Sequence, residues 1–274
     1  MNGKVCIVTG ANGAVGQALA TELARLGATV VMVCRNQERG DAARAEVMAA
    51  TGNQSVELLL VDLSSQASIR QAVAEFLARH NRLDVLINNA AIVTQQRTVT
   101  ADRLEMMFAT NHLGPFLMTN LLLDGLKASA PALVLTVTAP STVALNFDDL
   151  QGALHFDALR AFGATKMCNL LFTYELARRL AGTDVRANAV HPGLVKSNLM
   201  KEAPFFIRWF SRLVSGSPER GAATAVYLAS SPEAASLTGK LFKDKKPIDS
   251  NAYSYDPAVQ RRLWDVSTAL VKMA

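Results

Sequence analysis

The sequence predicts one α/β domain in which a doubly wound, parallel sheet of about seven strands carries helices on both faces. Three observations support this prediction: apolar, β-branched runs alternate with helical stretches, a glycine-rich turn joins the first run to the first helix, and no long linker divides the 274 residues. Parallel neighbours need crossover connections, and right-handed crossovers place helices on both faces of the sheet. The predicted domain therefore spans residues 1–274.

The predicted strands and helices alternate along the first two-thirds of the chain. The strand-like runs cover residues 5–9, 29–34, 56–62, 85–88, 133–138 and 185–190. The helical stretches lie near residues 14–26, 36–50, 65–80, 102–127 and 157–181. The last third adds a helix from about Pro218, a short strand near 240–242 and a terminal helix from about Asp256.

Composition is that of a globular protein and argues against several classes of partner. Half of the residues are hydrophobic and 19% are charged, which is too apolar a balance for a disordered chain. The net charge of +5 is spread along the chain, which suits an anionic cofactor but lacks the clustering expected of a nucleic-acid-binding protein. The most apolar stretch, 116–137, is broken by Asn120, Asp124, Lys127 and Pro131, so no membrane span is expected.

The three cysteines favour a reducing compartment. Cys6 and Cys34 lie in strand-like runs and Cys168 in a helical stretch, without spacing typical of a metal site or a disulfide framework. Buried thiols are the expected state. Because the first strand begins four residues from the start, no signal peptide is predicted, and the expected location is cytoplasmic.

The turn after the first strand has the composition of a phosphate-binding loop. Thr9 is followed by Gly-Ala-Asn-Gly-Ala-Val-Gly over residues 10–16. Glycine permits the backbone angles of a tight turn and lets a pyrophosphate approach closely. The helix from about Ala14 would direct unpaired N–H groups and its positive dipole at the phosphates. This position, at the first strand–helix junction of an alternating chain, predicts a dinucleotide site.

The residue after the second strand bears on which dinucleotide is bound. Many dinucleotide folds carry an acid there for the adenosine ribose hydroxyls, whereas this chain has Arg35. A guanidinium can hold a 2′-phosphate with two hydrogen bonds, so NADP(H) is predicted over NAD(H). A solvated surface arginine is the alternative interpretation. Asp62, at the end of the third run, is placed to accept a hydrogen bond from the adenine amino group.

Further motifs give the chain a family resemblance. In chain order they are the turn at 9–16, Asp62-Leu63, Asn88-Asn89-Ala90-Ala91, Asn111-His112-Leu113-Gly114, Lys166, the stretch 170–180, His191-Pro192-Gly193 and the stretch 261–264. Together they resemble the Rossmann-fold short-chain dehydrogenases/reductases, in particular their retinol-dehydrogenase-like and protochlorophyllide-reductase-like branch. The likeness runs from about residue 3 to the C-terminus and is more specific for fold and cofactor than for substrate.

The resemblance implies a role for each matching residue. The pyrophosphate and adenosine end of NADP(H) would be held by Gly10, Asn12, Gly13, Val15 and Gly16, the 2′-phosphate by Arg35, and the adenine by Asp62 and Leu63. The nicotinamide half would be held by Asn89, Ala90, Ala91, Lys166, Pro192, Gly193 and Val195, with Lys166 bonding the ribose hydroxyls. Asn111 would kink its helix and hold a water in the proton path. Two departures, Ala14 and Ala91, each add a methyl where the family usually has glycine.

The most serious departure concerns the catalytic acid. The family's Tyr-x-x-x-Lys reads Phe162-Gly-Ala-Thr-Lys166, and phenylalanine has no proton to exchange. Positioned acid–base groups contribute about 10²- to 10⁴-fold in rate. The serine that partners the tyrosine aligns with Ala139, which leaves Ser141 and Thr138 as neighbouring hydroxyls. Tyr174 is twelve residues beyond Phe162, about 18 Å along the helix, and is too far to substitute.

Three explanations of Phe162 stay open. The first is an engineered Tyr-to-Phe change that inactivates the enzyme, although the absence of the serine hydroxyl at Ala139 argues against it. Alternatively, the natural reaction needs no tyrosine, as when hydride reaches the β-carbon of a conjugated enone and water protonates the α-carbon. Thirdly, the chain binds its cofactor without hydride transfer, as a cyclase, isomerase or inactive pseudoenzyme.

Substrate and assembly are the least defined expectations. Residues 194–217 fall where the family has its substrate lid, and their aromatic group at 205–210 suggests a small apolar substrate. Family members often form a homodimer through the helices corresponding to 102–127 and 157–181, and monomers also occur. His112 and His191 match family positions and are predicted to be scaffold, whereas His155 is a candidate proton shuttle.

Overall fold

The predicted parallel sheet is present, with one strand more than expected. A computed structural model describes residues 1–193, 195 and 216–273. Its sheet has the order β3-β2-β1-β4-β5-β6-β7-β8, in which β1 to β7 run parallel and β8 is antiparallel to β7. The strands are β1 Val5–Thr9, β2 Thr29–Cys34, β3 Val56–Leu60, β4 Val85–Asn88, β5 Ala132–Val137, β6 Val185–Val190, β7 Leu241–Lys243 and β8 Lys246–Ile248.

The eighth strand closes a tight hairpin at the sheet edge. Asp244 and Lys245 both adopt positive φ, at 48° and 65°, and reverse the chain between β7 and β8. A strand of three residues that contains Lys246 and Pro247 carries no apolar alternation, which is why the sequence did not predict it. Lysine and proline at such an edge discourage pairing with another sheet.

The helices lie on both faces of the sheet, as expected from the crossover connections. The main helices are α1 Ala14–Arg25, α2 Gln37–Thr51, α3 Gln66–Arg79, α4 Met106–Phe108, α5 Gly114–Leu121, α6 Leu123–Ala128, α7 Ala158–Arg179, α8 Pro218–Ser230 and α9 Pro257–Leu270. Alternate residues of β2 face opposite layers: Val31 and Val33 pack toward α3, α5 and α7, whereas Val30 and Met32 pack toward α1, α2 and α8. Both layers are closely filled with apolar side chains.

The predicted helix at 102–127 is divided. Residues 102–105 are not helical. Glu105 caps α4 by accepting hydrogen bonds from the backbone N–H groups of Met107 and Phe108 at 2.9 and 2.7 Å. A π-helical segment follows at Ala109–Leu113. π-helical turns of this kind occur frequently at functional sites. The segment contains Asn111, whose side chain bonds outside its own helix.

The C-terminal helix α9 covers the face shared by α5 and α7. The ring of Trp264 packs 4.9 Å from that of Phe116 and 5.9 Å from that of Phe172, and the Arg179 guanidinium lies 4.3 Å from its centroid. His112 Nε2 shares a hydrogen bond of 2.8 Å with Ser267 Oγ. The homodimer expected through these helices stays a prediction, and α9 packs on one face of α5 and α7.

Candidate active site

The glycine-rich turn joins β1 to α1 in the conformation that its sequence suggested. Gly10 adopts φ +64° and donates its N–H to Val33 O at 2.9 Å, which ties the turn to the end of β2. Gly13 donates to Gly10 O at 3.0 Å and is the N-cap of α1. Asn12 and Ala14 are partly exposed beside it, so the methyl of Ala14 is accommodated within α1.

Gly16 is required by close packing of the turn. A Cβ at this position would lie 2.2 Å from Gly10 O and 2.8 Å from Asn89 Nδ2. At Gly13, by contrast, a Cβ would meet only Gly10 O, at 3.3 Å. Residue 16 therefore admits no larger side chain without moving α1 away from the turn.

The first turn of α1 has the properties of an anion site. Gly13 provides no side-chain cap, whereas Asn36, Ser65 and Asp157 cap α2, α3 and α7 with their side chains. Within the described part of the chain, the first N–H groups of α1 from Ala14 to Gly16 have no acceptor outside the helix. Unpaired N–H groups at a helix N-terminus attract phosphate, so the residues present fit a dinucleotide.

Arg35 and Asp62 lie at the carboxyl ends of neighbouring strands. Arg35 is exposed directly after β2, and among the described residues its guanidinium has no hydrogen bond or ion pair with the protein. Arg39, in the first turn of α2, is also exposed nearby. Asp62 Oδ1 accepts hydrogen bonds from Ser64 N and Oγ at 2.9 and 2.7 Å, and Leu63 is buried against α5.

The end of β4 is tied to the glycine turn through Thr9. Its hydroxyl oxygen accepts from the N–H groups of Asn89 and Ala90 at 2.9 and 3.0 Å. Asn89 Nδ2 donates to Thr9 O at 2.8 Å, so this side chain braces the turn. Ala90 lies within 3.1 Å of a Cβ built at Gly10, and Ala91 follows, partly exposed.

Gly221, in α8, packs between the first turn of α1 and the segment after β6. A Cβ on this residue would lie 2.7 Å from Val195 Cγ2, 3.3 Å from Val15 Cγ2 and 3.5 Å from Pro192 O. Gly193 adopts φ +76° between them, and Val195 pairs with Gly216 in a β-bridge. Val15 and Val195, which are predicted to contact the two ends of the cofactor, therefore both pack against Gly221.

Phe162 and Lys166 occupy one face of α7. The Lys166 ammonium lies 5.0 Å from the centroid of the Phe162 ring, and the residue is 8% exposed. Burial lowers the pKa of Lys166 to about 8. Cation–π contact of this kind is favourable but replaces no proton donor.

The neighbouring hydroxyls are engaged by α7 itself. Ser141 Oγ donates to Gly163 O at 2.8 Å and accepts from Val143 N at 3.2 Å. Thr138 Oγ1 donates to Lys166 O at 3.0 Å. Ala139, at the position of the family's serine, is partly exposed between them and offers no hydroxyl.

Asn111 connects the π-helical segment to the loop after β4. Its Nδ2 donates to Ile92 O at 2.9 Å and its Oδ1 accepts from Ile92 N at 2.8 Å. The same amide nitrogen lies 3.3 Å from Thr165 Oγ1 on α7. Asn111 thus joins this loop to α7; the water that it would hold stays a prediction.

A cavity lies against α7 and the loop after β5. It measures about 70 Å³ and its lining includes Glu105, Phe108, Leu150, His155 and Cys168, but neither Phe162 nor Lys166. His155, the candidate proton shuttle, is thus at this cavity. The predicted lid, apart from Val195, Gly216 and Ser217, lies outside the described residues, as does its aromatic group at 205–210.

The other two histidines have scaffold surroundings. Burial lowers the pKa of His112 to about 4, and its ring stacks on Phe108 at 5.4 Å. Burial, together with the charge of Lys243, also lowers the pKa of His191. Among the described residues, no group of three His, Cys, Asp or Glu side chains could hold a metal ion, and no helix is long and apolar enough to span a membrane.

Sequence reasoning missed Thr9 and Gly221 as site residues. Thr9 begins the turn motif, and a hydroxyl directly before a glycine-rich loop is a signal for a bracing role. Nothing local marks Gly221, since its importance comes from Val15 and Val195, which are distant in the chain.

This fold and site define a Rossmann-type protein with a nucleotide cradle at the carboxyl ends of its strands. A family model described as short chain dehydrogenase matches residues 4–204. Retinol dehydrogenase 14 from Homo sapiens is 41% identical, covering 99% of this chain and 87% of that protein, and Retinol dehydrogenase 11 from Homo sapiens is 41% identical over 98% and 86%. The chain belongs to the short-chain dehydrogenase/reductase family and is retinol-dehydrogenase-like, which confirms the predicted resemblance.

Solved structures support the same assignment. A putative uncharacterized protein from Mycobacterium paratuberculosis superposes with a TM-score of 0.79 at 32% identity, covering 99% of this chain and 94% of that one. A Pseudomonas aeruginosa RhlG/NADP complex gives 0.73 at 25% identity, covering 92% and 97%. A 3-ketoacyl-(acyl-carrier-protein) reductase from Brucella melitensis complexed with NADH gives 0.69 at 25%, covering 88% and 96%. Both nicotinamide dinucleotides thus occur among similar structures.

Proposed function

We propose that this chain is an NADP(H)-dependent oxidoreductase that acts on a small apolar carbonyl or conjugated enone without the usual tyrosine acid. The observation that carries the proposal is the buried Lys166 ammonium, 5.0 Å from the Phe162 ring and beside an intact nucleotide cradle. Burying an ammonium is costly, and binding of the nicotinamide ribose together with stabilisation of charge on a substrate oxygen would offset that cost.

The preference for NADP(H) rests on charge at the adenosine end. NADP(H) supplies or accepts the hydride when bound. The first turn of α1 would bind its pyrophosphate, and Arg35 its 2′-phosphate, with Arg39 adding positive charge. The residue directly after β2 is Arg35 and not the acid that would bond a ribose hydroxyl, so a cofactor with a free 2′-hydroxyl would gain little here.

The loss of the phenol narrows the reactions that fit. Hydride addition to the β-carbon of an enone places negative charge on the oxygen of an enolate, which needs hydrogen-bond donors but no immediate proton transfer. Lys166 can stabilise that charge, and water can protonate the α-carbon. Similarity to retinol dehydrogenases and the aromatic sequence at 205–210 support an apolar, polyunsaturated substrate.

Location and assembly are proposed with this function. The buried free thiols Cys6, Cys34 and Cys168 support a reducing, cytoplasmic location. A homodimer would need surface that α9 leaves uncovered on α5 and α7. Nucleic acid is not a proposed partner.

The test measures cofactor choice and hydride transfer separately. Binding of NADPH and NADH is followed by calorimetry for the wild type, Arg35→Ala and the control Arg44→Ala, whose side chain pairs with Asp41 on the exposed face of α2. We expect Arg35→Ala to weaken NADPH binding at least tenfold with NADH binding unchanged within twofold. Equal effects on both cofactors would contradict the 2′-phosphate role.

Hydride transfer is followed by loss of NADPH absorbance with a panel of apolar ketones, aldehydes and conjugated enones. We expect turnover of at least one member of the panel. Tight NADPH binding without turnover on any of them would reject the oxidoreductase proposal and favour a protein that binds cofactor without redox chemistry.

A further inference from the structure

Three hydroxyl groups around Phe162 already donate their protons to carbonyls of α7. Thr138 donates to Lys166 O at 3.0 Å, Ser141 to Gly163 O at 2.8 Å and Thr165 to Phe162 O at 2.7 Å. Each of these bonds would have to break before the hydroxyl could donate to a substrate oxygen. Each carbonyl would keep the helical N–H bond from the residue four positions on, so the cost is the lost hydroxyl bond, about 0.5–1.5 kcal/mol.

Lys166 is the group at this position that retains unused donors. Its ammonium carries three N–H bonds. Among the described residues none of them has an acceptor, although the residue is 8% exposed. The ammonium also lies over the ring of Phe162, whose para carbon would carry the phenol oxygen of a tyrosine. The unused donors of the ammonium therefore lie at the ring that carries a phenol in the family pattern.

We propose that Lys166 itself donates the proton to the substrate oxygen, a role that rests on the oxidoreductase function proposed above. Its remaining N–H bonds stay available for the ribose hydroxyls of the cofactor. In the family pattern the lysine assists a tyrosine, whereas here the lysine would act as the acid because Phe162 cannot.

The step balances without a further reactant. The carbonyl carbon of the substrate gains a hydride from the reduced nicotinamide, and the electron pair of the C=O π bond moves to oxygen. That oxygen takes a proton from the Lys166 ammonium, which becomes a neutral amine and is reprotonated by water. With a conjugated enone, the hydride adds to the β-carbon and the oxygen of the enolate takes the Lys166 proton. Water then protonates the α-carbon while the O–H proton of the enol returns to water, which gives the ketone.

The pH dependence distinguishes Lys166 from its ionisable neighbour. Among the described residues, His191, which follows β6, is the titratable group that interacts electrostatically with Lys166. Burial and the charge of Lys243 keep the pKa of His191 below 6.5. The facing parts of β5 and of the π-helical segment contribute Thr138 and Asn111, which do not titrate. Reduction requires the ammonium, whose pKa burial lowers to about 8, so the rate should be full below pH 8 and fall above it. A dependence on His191 would appear below pH 6.5 instead.

The first experiment compares Lys166→Arg with the wild type and with Lys127→Arg, an exposed lysine on α6 as the matched control. Arginine keeps the charge and can bond the ribose, but it does not release a proton in this pH range. We expect Lys166→Arg to bind NADPH within threefold of the wild type and to reduce substrate at least 100-fold more slowly. The wild-type and Lys127→Arg rates should fall about tenfold per pH unit above pH 8.

A second measurement does not depend on turnover. The pKa of Lys166 is read in the wild type saturated with NADP⁺ by NMR of ¹³C-labelled lysine, with its signal assigned by its absence in Lys166→Arg. We expect a midpoint that agrees with the rate profile. A midpoint above pH 10, or a Lys166→Arg enzyme with the wild-type rate and pH profile, would overturn this inference and leave the proposed oxidoreductase function standing.

One competing donor needs its own variant. Thr94 Oγ1 is buried and, within the described residues, has no hydrogen-bond partner. Thr94→Val should leave the rate within threefold of the wild type; a 100-fold loss there, with Lys166→Arg active, would assign the proton to Thr94. No turnover by the wild type on any substrate would reject the proposed function, and this inference with it.

Discussion

Replacing Gly16 by alanine tests whether the turn at 10–16 is built for close approach. The added Cβ would lie 2.2 Å from Gly10 O and 2.8 Å from Gly10 C, both backbone atoms that cannot rotate away. Because real Cβ atoms do not come within 3.0 Å of other heavy atoms, α1 and the turn must separate by about 1 Å. Overpacking of this kind costs about 1–3 kcal/mol in the free energy of unfolding.

The same shift should weaken cofactor binding. The N–H groups at the start of α1 would move by about 1 Å relative to the turn, and a hydrogen bond to a charged group is worth about 1.5–3 kcal/mol. Loss of one such bond corresponds to a roughly 10- to 100-fold lower affinity for NADPH. Calorimetry gives the affinity, and urea denaturation gives the free energy of unfolding.

Gly125→Ala is the matched control for this variant. Gly125 lies in α6, away from the turn, and its Cβ would meet only Leu77 Cδ2 at 3.6 Å, an ordinary van der Waals contact. Gly125→Ala should therefore bind NADPH within threefold of the wild type. If Gly16→Ala also bound within threefold and unfolded within about 0.5 kcal/mol of the wild type, the steric reasoning about this turn would be wrong.

Two further predictions concern stability. Burial lowers the pKa of His112 from 6.5 in the unfolded chain to about 4 in the folded protein, so the unfolded state takes up the proton first as the pH falls. The free energy of unfolding should therefore decrease by about 3 kcal/mol between pH 6.5 and pH 4. Urea denaturation midpoints at pH 7 and pH 4 measure this decrease, and a His112→Gln variant with the same pH dependence as the wild type would contradict the prediction. Trp264→Ala removes the ring that packs on Phe116 and Phe172 and should lower the free energy of unfolding by about 2–4 kcal/mol, less than for a fully buried tryptophan. The exposed control Leu159→Ala should lower it by under about 0.5 kcal/mol. Calorimetric melting measures both, and equal losses of stability would argue against a stabilising role for α9.

Much of the fold and of the cofactor site could be predicted from the sequence. The strands at 5–9 and 29–34 were assigned with their observed limits, because β-branched runs bounded by turn residues specify strands locally. Gly10 and Gly13 were assigned to the turn, and Arg35 to the end of β2, by the same kind of local reasoning. The replacement of tyrosine by Phe162 was likewise visible in the spacing to Lys166.

The interrupted helix and the short edge hairpin were not predicted. Residues 102–127 have a continuous helical pattern, but Asn111 bonds to Ile92 and a π-helical segment forms around it. Its partner belongs to a different loop, and the pattern of apolar residues within the helix carries no information about it. The strand Lys246–Ile248 forms because β7 offers it a pairing edge.

The sequence by itself determined the order of strands and helices, the glycine turn and the absence of a phenol at 162, because each depends on residues that are neighbours in the chain. Only the tertiary structure decided that Ser141 donates to Gly163 and that Gly221 brings Val15 to Val195. It also decided that α9 lies over His112. These contacts join residues far apart in the chain, and they form only after the packed layers bring the elements together.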